Sequence, residues 1–132
     1  MGGAVCISVA ATYDVASLVT FAAPVNSRSV ISALDKLADS KSTAYSFYRK
    51  KLKSDISDKL SSVHHILIFH GDSDTVVPPS NARQIFEAAG GPKKMIMQRA
   101  GDHRMSNTEH QENFVREAAL WFKACFNHTI EP

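Results

Sequence analysis

His65-Ile66-Leu67-Ile68-Phe69-His70-Gly71-Asp72-Ser73-Asp74-Thr75-Val76-Val77-Pro78 joins a strand to a chemically dense turn. Its first half is a short run of branched and aromatic apolar residues without polar alternation. Such a run predicts a strand buried on both faces, as in a parallel sheet covered by helices. Gly71 closes the run, and carboxylates and hydroxyls follow at once. In open α/β sheets the residues just past the carboxyl ends of strands face the ligand crevice. The turn at 71–78 is therefore a candidate site, although a single Asp in a Gly-rich turn is most often only a turn former.

Two further stretches read as partners of this strand. Val15–Ala22 (VASLVTFA) is apolar, carries β-branched and aromatic members, and is stopped by Pro24. Lys94–Arg99 (KMIMQR) is a weaker third candidate, because methionine is not a strong strand former. Helical patterns fill the gaps. Gly2–Ala11 is small and apolar on nearly all sides, which predicts a buried helix. Val30, Ile31, Leu34, Leu37 and Ala38 fall at helical spacing, and Phe47, Tyr48, Leu52 and Ile56 do so less regularly. Ser80 is placed to cap a helix with Ala82, Ile85, Phe86 and Ala89 on its apolar face, ended by Gly90. A last helix, capped by Asn107 or Thr108 and with Glu109 and Glu112 near its positive end, carries Phe114, Val115, Ala118, Trp121, Phe122 and Cys125 as a stripe. Strands alternating with helices predict an α/β fold, a parallel sheet of about three strands with right-handed crossovers.

The 132 residues make one domain, and 44% apolar residues suffice for a core. A formal charge of +2 lacks the basic footprint of a nucleic-acid binder and suggests no membrane-surface partner. The first 27 residues carry one charge, Asp14, and no Lys or Arg precedes Arg28. A secretory signal needs a basic start, and Asp14 with Thr12, Ser17 and Thr20 interrupts any membrane span. The low charge predicts burial of this start and suggests that something belongs in front of it. Cys6 and Cys125 make no disulfide framework or zinc spacing, which points to a reducing, cytoplasmic setting. His64, His65, His110 and His128 have no metal-ligand company, and no metal or cofactor is expected.

Beyond the third strand comes Ala100-Gly101-Asp102-His103-Arg104-Met105, so an acid and a histidine lie at neighbouring strand ends. A carboxylate beside a histidine fixes its tautomer and stabilises the imidazolium, the base-and-orienter part of a nucleophilic hydrolase. At these residues the sequence resembles the α/β-hydrolase family. Gly71–Pro78 matches the family's G-x-x-D-x-x-V-P turn, which assigns the triad acid to Asp74 rather than Asp72. Gly101-Asp102-His103 matches its G-x-H loop, which makes His103 the base. Acid precedes histidine, as in the family's chain order.

Met1-Gly2-Gly3-Ala4-Val5 looks like the latter half of the family's nucleophile elbow, G-x-S-x-G. The resemblance then places the serine one residue before Met1 and makes the main-chain nitrogen of Met1 an oxyanion-hole donor. Ser8, Ser17, Ser73 and Ser106 lack the elbow's flanking glycines and read as structural. The chain so aligned corresponds to the family's C-terminal half, missing the first five strands and the serine. Its implied function is the acid–base part of a serine hydrolase acting on an ester, thioester or amide. Residues 25–60 exceed what a crossover requires and correspond to the family's cap, where Phe47 and Tyr48 line an acyl or leaving-group pocket or belong to the core. The basic run Arg49, Lys50, Lys51 and Lys53 reads as a solvated helix face. His70 reads as packing support for the acid turn. An exposed sheet edge would favour a homo-oligomer or pairing with a missing N-terminal half. The competing reading is a non-catalytic α/β domain that binds a small molecule or a partner.

Overall fold

Every residue of Ile66–Gly71 is buried, and the rest of the fold is arranged around this strand. The computed structural model describes residues 2–37 and 53–128. In chain order these form α1 (Gly2–Ala10), β1 (Leu18–Phe21), α2 (Ser27–Leu37), a 3₁₀ helix (Ser57–Ser62), β2 (Ile66–Gly71), α3 (Ser80–Ala88), β3 (Lys93–Gln98) and α4 (Thr108–His128). The three strands pair in parallel in the order β1-β2-β3. Phe21 lies opposite Phe69, and Phe69 opposite Ile96.

Side-chain alternation sorts the two faces of the sheet. Ile66 and Ile68 join one core with Ala4 and Ile7 of α1, Leu60 of the 3₁₀ helix, and Ala82 and Ile85 of α3. Phe69 points the other way, with its ring 4.9 Å from that of Phe114 on α4, and Phe21 meets the same ring at 6.5 Å. Burial on both sides explains the unbroken apolar run in β2. Cys6 and Cys125 lie on helices of opposite faces, and no disulfide joins them. Among the described residues no helix is long and apolar enough to cross a membrane.

Three local expectations need correction. α1 is not buried all round: Ala4, Ile7 and Ala10 face the core, but Val5 is 60% and Val9 45% exposed. The helix rests on β1 and the 3₁₀ helix along one side, and no described element covers the other. On α4, Ala118 and Cys125 are buried with Phe114 and Trp121 partly so, whereas Val115 and Phe122 turn outward with Phe126. The apolar residues of α4 thus form two stripes, only one of which meets the sheet. Ser80 is not a cap, because Pro79 occupies that position and no side chain bonds the first turn. Asn81 acts there instead: its Oδ1 accepts the Val25 N–H at 2.8 Å and its Nδ2 donates to the Pro78 carbonyl at 3.0 Å. Asn107 caps α4, its Oδ1 accepting the Glu109 N–H at 2.8 Å.

The long segment after β1 leaves and returns at one place. The Ser27 N–H donates to Ser54 O at 2.7 Å, the Ile56 N–H to Val25 O at 2.9 Å, and Asn26 and Asp55 form an antiparallel bridge. Phe47 and Tyr48 fall between these ends and, like Met1, lie outside the described residues.

At the carboxyl rim two glycines bring the loops after β2 and β3 together. A Cβ added to Gly71 would sit 2.2 Å from the Gly101 carbonyl oxygen. Around this contact the Asp72 N–H donates to Gln98 O at 3.0 Å, and the Ser73 N–H to Gly101 O at 3.0 Å. Gly71→Ala should therefore push the loops apart and cost about 3 kcal/mol or more. Gly90→Ala, whose Cβ would meet Val63 O at 3.6 Å and His64 Cβ at 3.7 Å, both ordinary contacts, should change stability by no more than about 0.5 kcal/mol. Urea unfolding of the two variants checks this difference, and equal midpoints would refute it.

Candidate active site

An Asp at the start of a tight turn satisfies backbone donors that the turn leaves unpaired. Asp74 does so with one oxygen: Oδ1 accepts the Val76 and Val77 N–H groups, both at 2.8 Å. The carboxylate plane is thereby fixed, and the other oxygen aims across the rim. Oδ2 accepts a hydrogen bond from Nδ1 of His103 at 2.8 Å. The Asp74 side chain is fully buried and that of His103 is 34% exposed. Since a carboxylate only accepts, Nδ1 carries the proton and Nε2 keeps its lone pair. No described residue bonds Nε2.

The carboxylate has a second imidazole beside it. His70 Nε2 lies 3.3 Å from Asp74 Oδ2 and 2.8 Å from the Val77 carbonyl oxygen, with its ring wholly buried. Three N–H hydrogen bonds, from Val76, Val77 and His103, and the adjacent His70 ring thus enclose a carboxylate whose side chain is fully buried, which is the condition for holding it there.

His103 is presented by a loop with its own fastening. Ala100 and Met105 take left-handed backbone angles, φ 54° and 52°, which are unusual for side-chain-bearing residues. Asp72 Oδ1 accepts the Ala100 N–H at 2.7 Å, tying this loop to the acid turn. Asp102 Oδ1 accepts the Ser106 N–H at 2.9 Å and the Arg104 N–H at 3.2 Å. Hydrogen bonds from Ser106, its side chain first and its backbone N–H next, hold the Asp102 carboxyl below its ordinary value, outweighing the opposing effect of desolvation. Neither fastening is apparent from the motif alone. The spacing of an Asp two and four positions before amide groups it bonds is the signal that could have revealed the second.

The start of α1 meets the same rim. A Cβ at Gly3 would stand 2.6 Å from Ala23 Cβ, so the first turn of α1 packs directly on the chain leaving β1. Of the serines weighed above, Ser17 Oγ reaches His65 O at the opposite end of the sheet and Ser73 Oγ bonds Asp72. No described serine hydroxyl bonds His103. Among the described residues no group of three His, Cys, Asp or Glu side chains is arranged to hold a metal ion.

A family model described as the prolyl oligopeptidase family matches residues 4–129. The chain belongs to the prolyl oligopeptidase family. No curated protein sequence matches it. Solved structures share its fold. The esterase domain of a Rhodothermus marinus protein superposes with a TM-score of 0.65 at 19% identity, over 91% of this chain and 56% of that one. A monoacylglycerol lipase from Paleococcus ferrophilus gives 0.63 at 16%, over 93% and 65%. An α/β-hydrolase enzyme from the sediment metagenome of the Mar Chica lagoon, Morocco, gives 0.64 at 19%, over 93% and 57%. The fold is that of the α/β-hydrolases, and this family member spans just over half to about two thirds of the length of these structures.

Two outcomes test the geometry. Asp74→Ala leaves two turn amides without an acceptor and should cost about 2–4 kcal/mol, while Asp74→Asn keeps an acceptor oxygen and should cost less. Thermal or urea unfolding ranks them. The lowered Asp102 value means that this carboxylate favours the folded loop above the ordinary carboxylate range, a contribution lost as pH falls through the folded value. Acidification to about pH 3 should shift the Arg104 and Ser106 amide resonances. In Asp102→Asn that transition should vanish.

Proposed function

We propose that these residues supply the acid and the base of a serine-hydrolase triad that cleaves an ester, thioester or amide. Asp74 is the acid, His103 the base, and the nucleophile is a serine outside the 132 residues. The observation that carries this reading is the 2.8 Å bond from His103 Nδ1 to a buried carboxylate, at the strand-end rim, with the imidazole edge left accessible. A domain that only binds would have no use for a buried carboxylate aimed at an accessible imidazole. The names of the similar structures, an esterase domain and a lipase, and the name of the peptidase family agree on acyl transfer.

In the proposed reaction His103 Nε2 removes the serine proton as Oγ attacks the carbonyl carbon. Asp74 steadies the imidazolium that forms, and the same proton passes to the leaving group as its bond to the carbonyl carbon breaks and the acyl-serine is left. Water, activated by the same imidazole, then releases the acid. Developing charge on the carbonyl oxygen is received by main-chain N–H groups, that of Met1 among them when it is an amide. The start of α1 supports this placement, because Gly3 brings it against the end of β1 on the same rim. In this reading residues 25–60 are the cap region, and its flanks at Ser27 and Ser54 meet at that rim. The unpaired edge of β1 takes a further strand of the same sheet.

A fluorophosphonate probe is expected to leave the purified 132-residue chain unlabelled. Stoichiometric labelling of one of its own serines would overturn the external nucleophile. In a longer polypeptide that carries a G-x-S segment ahead of Met1, the probe should react, and Asp74→Asn should lower kcat by about 10³–10⁴-fold with KM little changed. An undiminished kcat would remove Asp74 from the triad.

A further inference from the structure

We propose that His70 is a positioning residue that, as a neutral ring protonated at Nε2, locks the Asp74 carboxylate in the plane its turn amides set, facing His103. The proposal rests on the triad reading above. His70 is the next-to-last residue of β2, and its ring is completely buried. Both atoms near its Nε2, the Val77 carbonyl oxygen at 2.8 Å and Asp74 Oδ2 at 3.3 Å, are acceptors only. That nitrogen therefore carries the proton. Nδ1 is buried and has no hydrogen-bond partner among the described residues. A proton there would be an unpaired donor on a charged ring without solvent, which is the costlier arrangement. The tautomer is fixed by the surroundings rather than by any contact with substrate.

The consequence for the acid is geometric. Val77 is held at both ends of its peptide units: its N–H donates to Asp74 Oδ1, and its carbonyl accepts from His70. The same His70 N–H leans on Oδ2, the oxygen that receives His103. Rotating the carboxylate away from His103 would break the Oδ1 bonds to the turn and the Oδ2 contact to His70 together. A ring that only filled space in the core would need neither the N–H nor this tautomer.

Nuclear magnetic resonance of the full chain separates these cases. Long-range proton–nitrogen correlation at neutral pH should show His70 protonated at Nε2 and bare at Nδ1, and the opposite tautomer or a doubly protonated ring would overturn the proposal. The low-field Nδ1–H signal of His103 should persist in His70→Gln, which retains an N–H donor. In His70→Phe its exchange with water should speed up at least about tenfold, with the Leu67 and Phe69 amides still protected. An unchanged exchange rate in that folded variant would refute the role. If His70→Phe loses the β2 protection, loss of the signal in His70→Gln would refute it instead. An Asp74→Ala variant reports on the pair separately: a His103 signal indifferent to Asp74 would sink the triad reading itself, whatever His70 does.

Discussion

A carboxylate without water must be met by donors on every side, and the rim of this protein is organised around that requirement at Asp74. Two amides of its own turn and the His103 ring supply three N–H hydrogen bonds, and the buried His70 ring stands 3.3 Å from the oxygen that receives His103. The amides fix the plane, and the fixed plane selects where an imidazole can dock. Each supplier depends on something larger. The turn amides require the β2 exit to bend at Gly71, and His70 requires the last part of β2 to be enclosed on both faces. His103 requires its loop to approach within van der Waals contact of Gly71, which the missing side chain of Gly101 allows.

Sheet and site differ in how much of them the residues disclose. The buried strand was legible because an unalternating apolar run, Ile66–Phe69, followed closely by Gly71 has few other solutions. The acid turn was legible because an Asp followed by two amides and a Pro-terminated stretch has a local geometry. Choosing Asp74 over Asp72 required the resemblance; the coordinates show the difference as Asp74 bonded to His103 and Asp72 bonded to Ala100. The role of His70 was opaque. A histidine in an apolar run states its burial but not its tautomer, which depends on a carbonyl seven residues away. The exposed sides of α1 and α4 were opaque for another reason. Periodicity reports that a helix has an apolar face, not whether a neighbour covers it, so Val115 and Phe122 read the same as Ala118 until packing is known. Ser80 failed as a cap because the preceding Pro79 already supplies the turn.

Fold similarity at 16–19% identity illustrates which features the shared architecture constrains. A parallel sheet aligns its strand ends, so loops from adjacent strands are neighbours whatever their composition. The chemistry then needs only a few placements: glycines where the loops touch, an Asx-type turn, and a histidine one strand over. Activity is a property of those placements and not of the sheet.

The acid–base pair is positioned entirely by β2, β3 and the loops that leave them. Gly71 touches Gly101, Asp72 holds Ala100, and Asp74 holds His103. None of these contacts involves β1 or its unpaired edge. A strand added beyond β1 would therefore leave the Asp74–His103 distance unchanged. In the proposed triad the nucleophile's position would be governed separately, by the packing of the α1 start on Ala23 at the end of β1. The parallel pairing of β1 with β2 is thus the link between the two halves of the proposed site. A shift of that pairing by one residue would turn the β1 side chains to the opposite face and move the start of α1 with them. Leu18 opposite Ile66 and Phe21 opposite Phe69 oppose such a slip, because the core under α1 and the aromatic contact with Phe114 each accept only one face of β1.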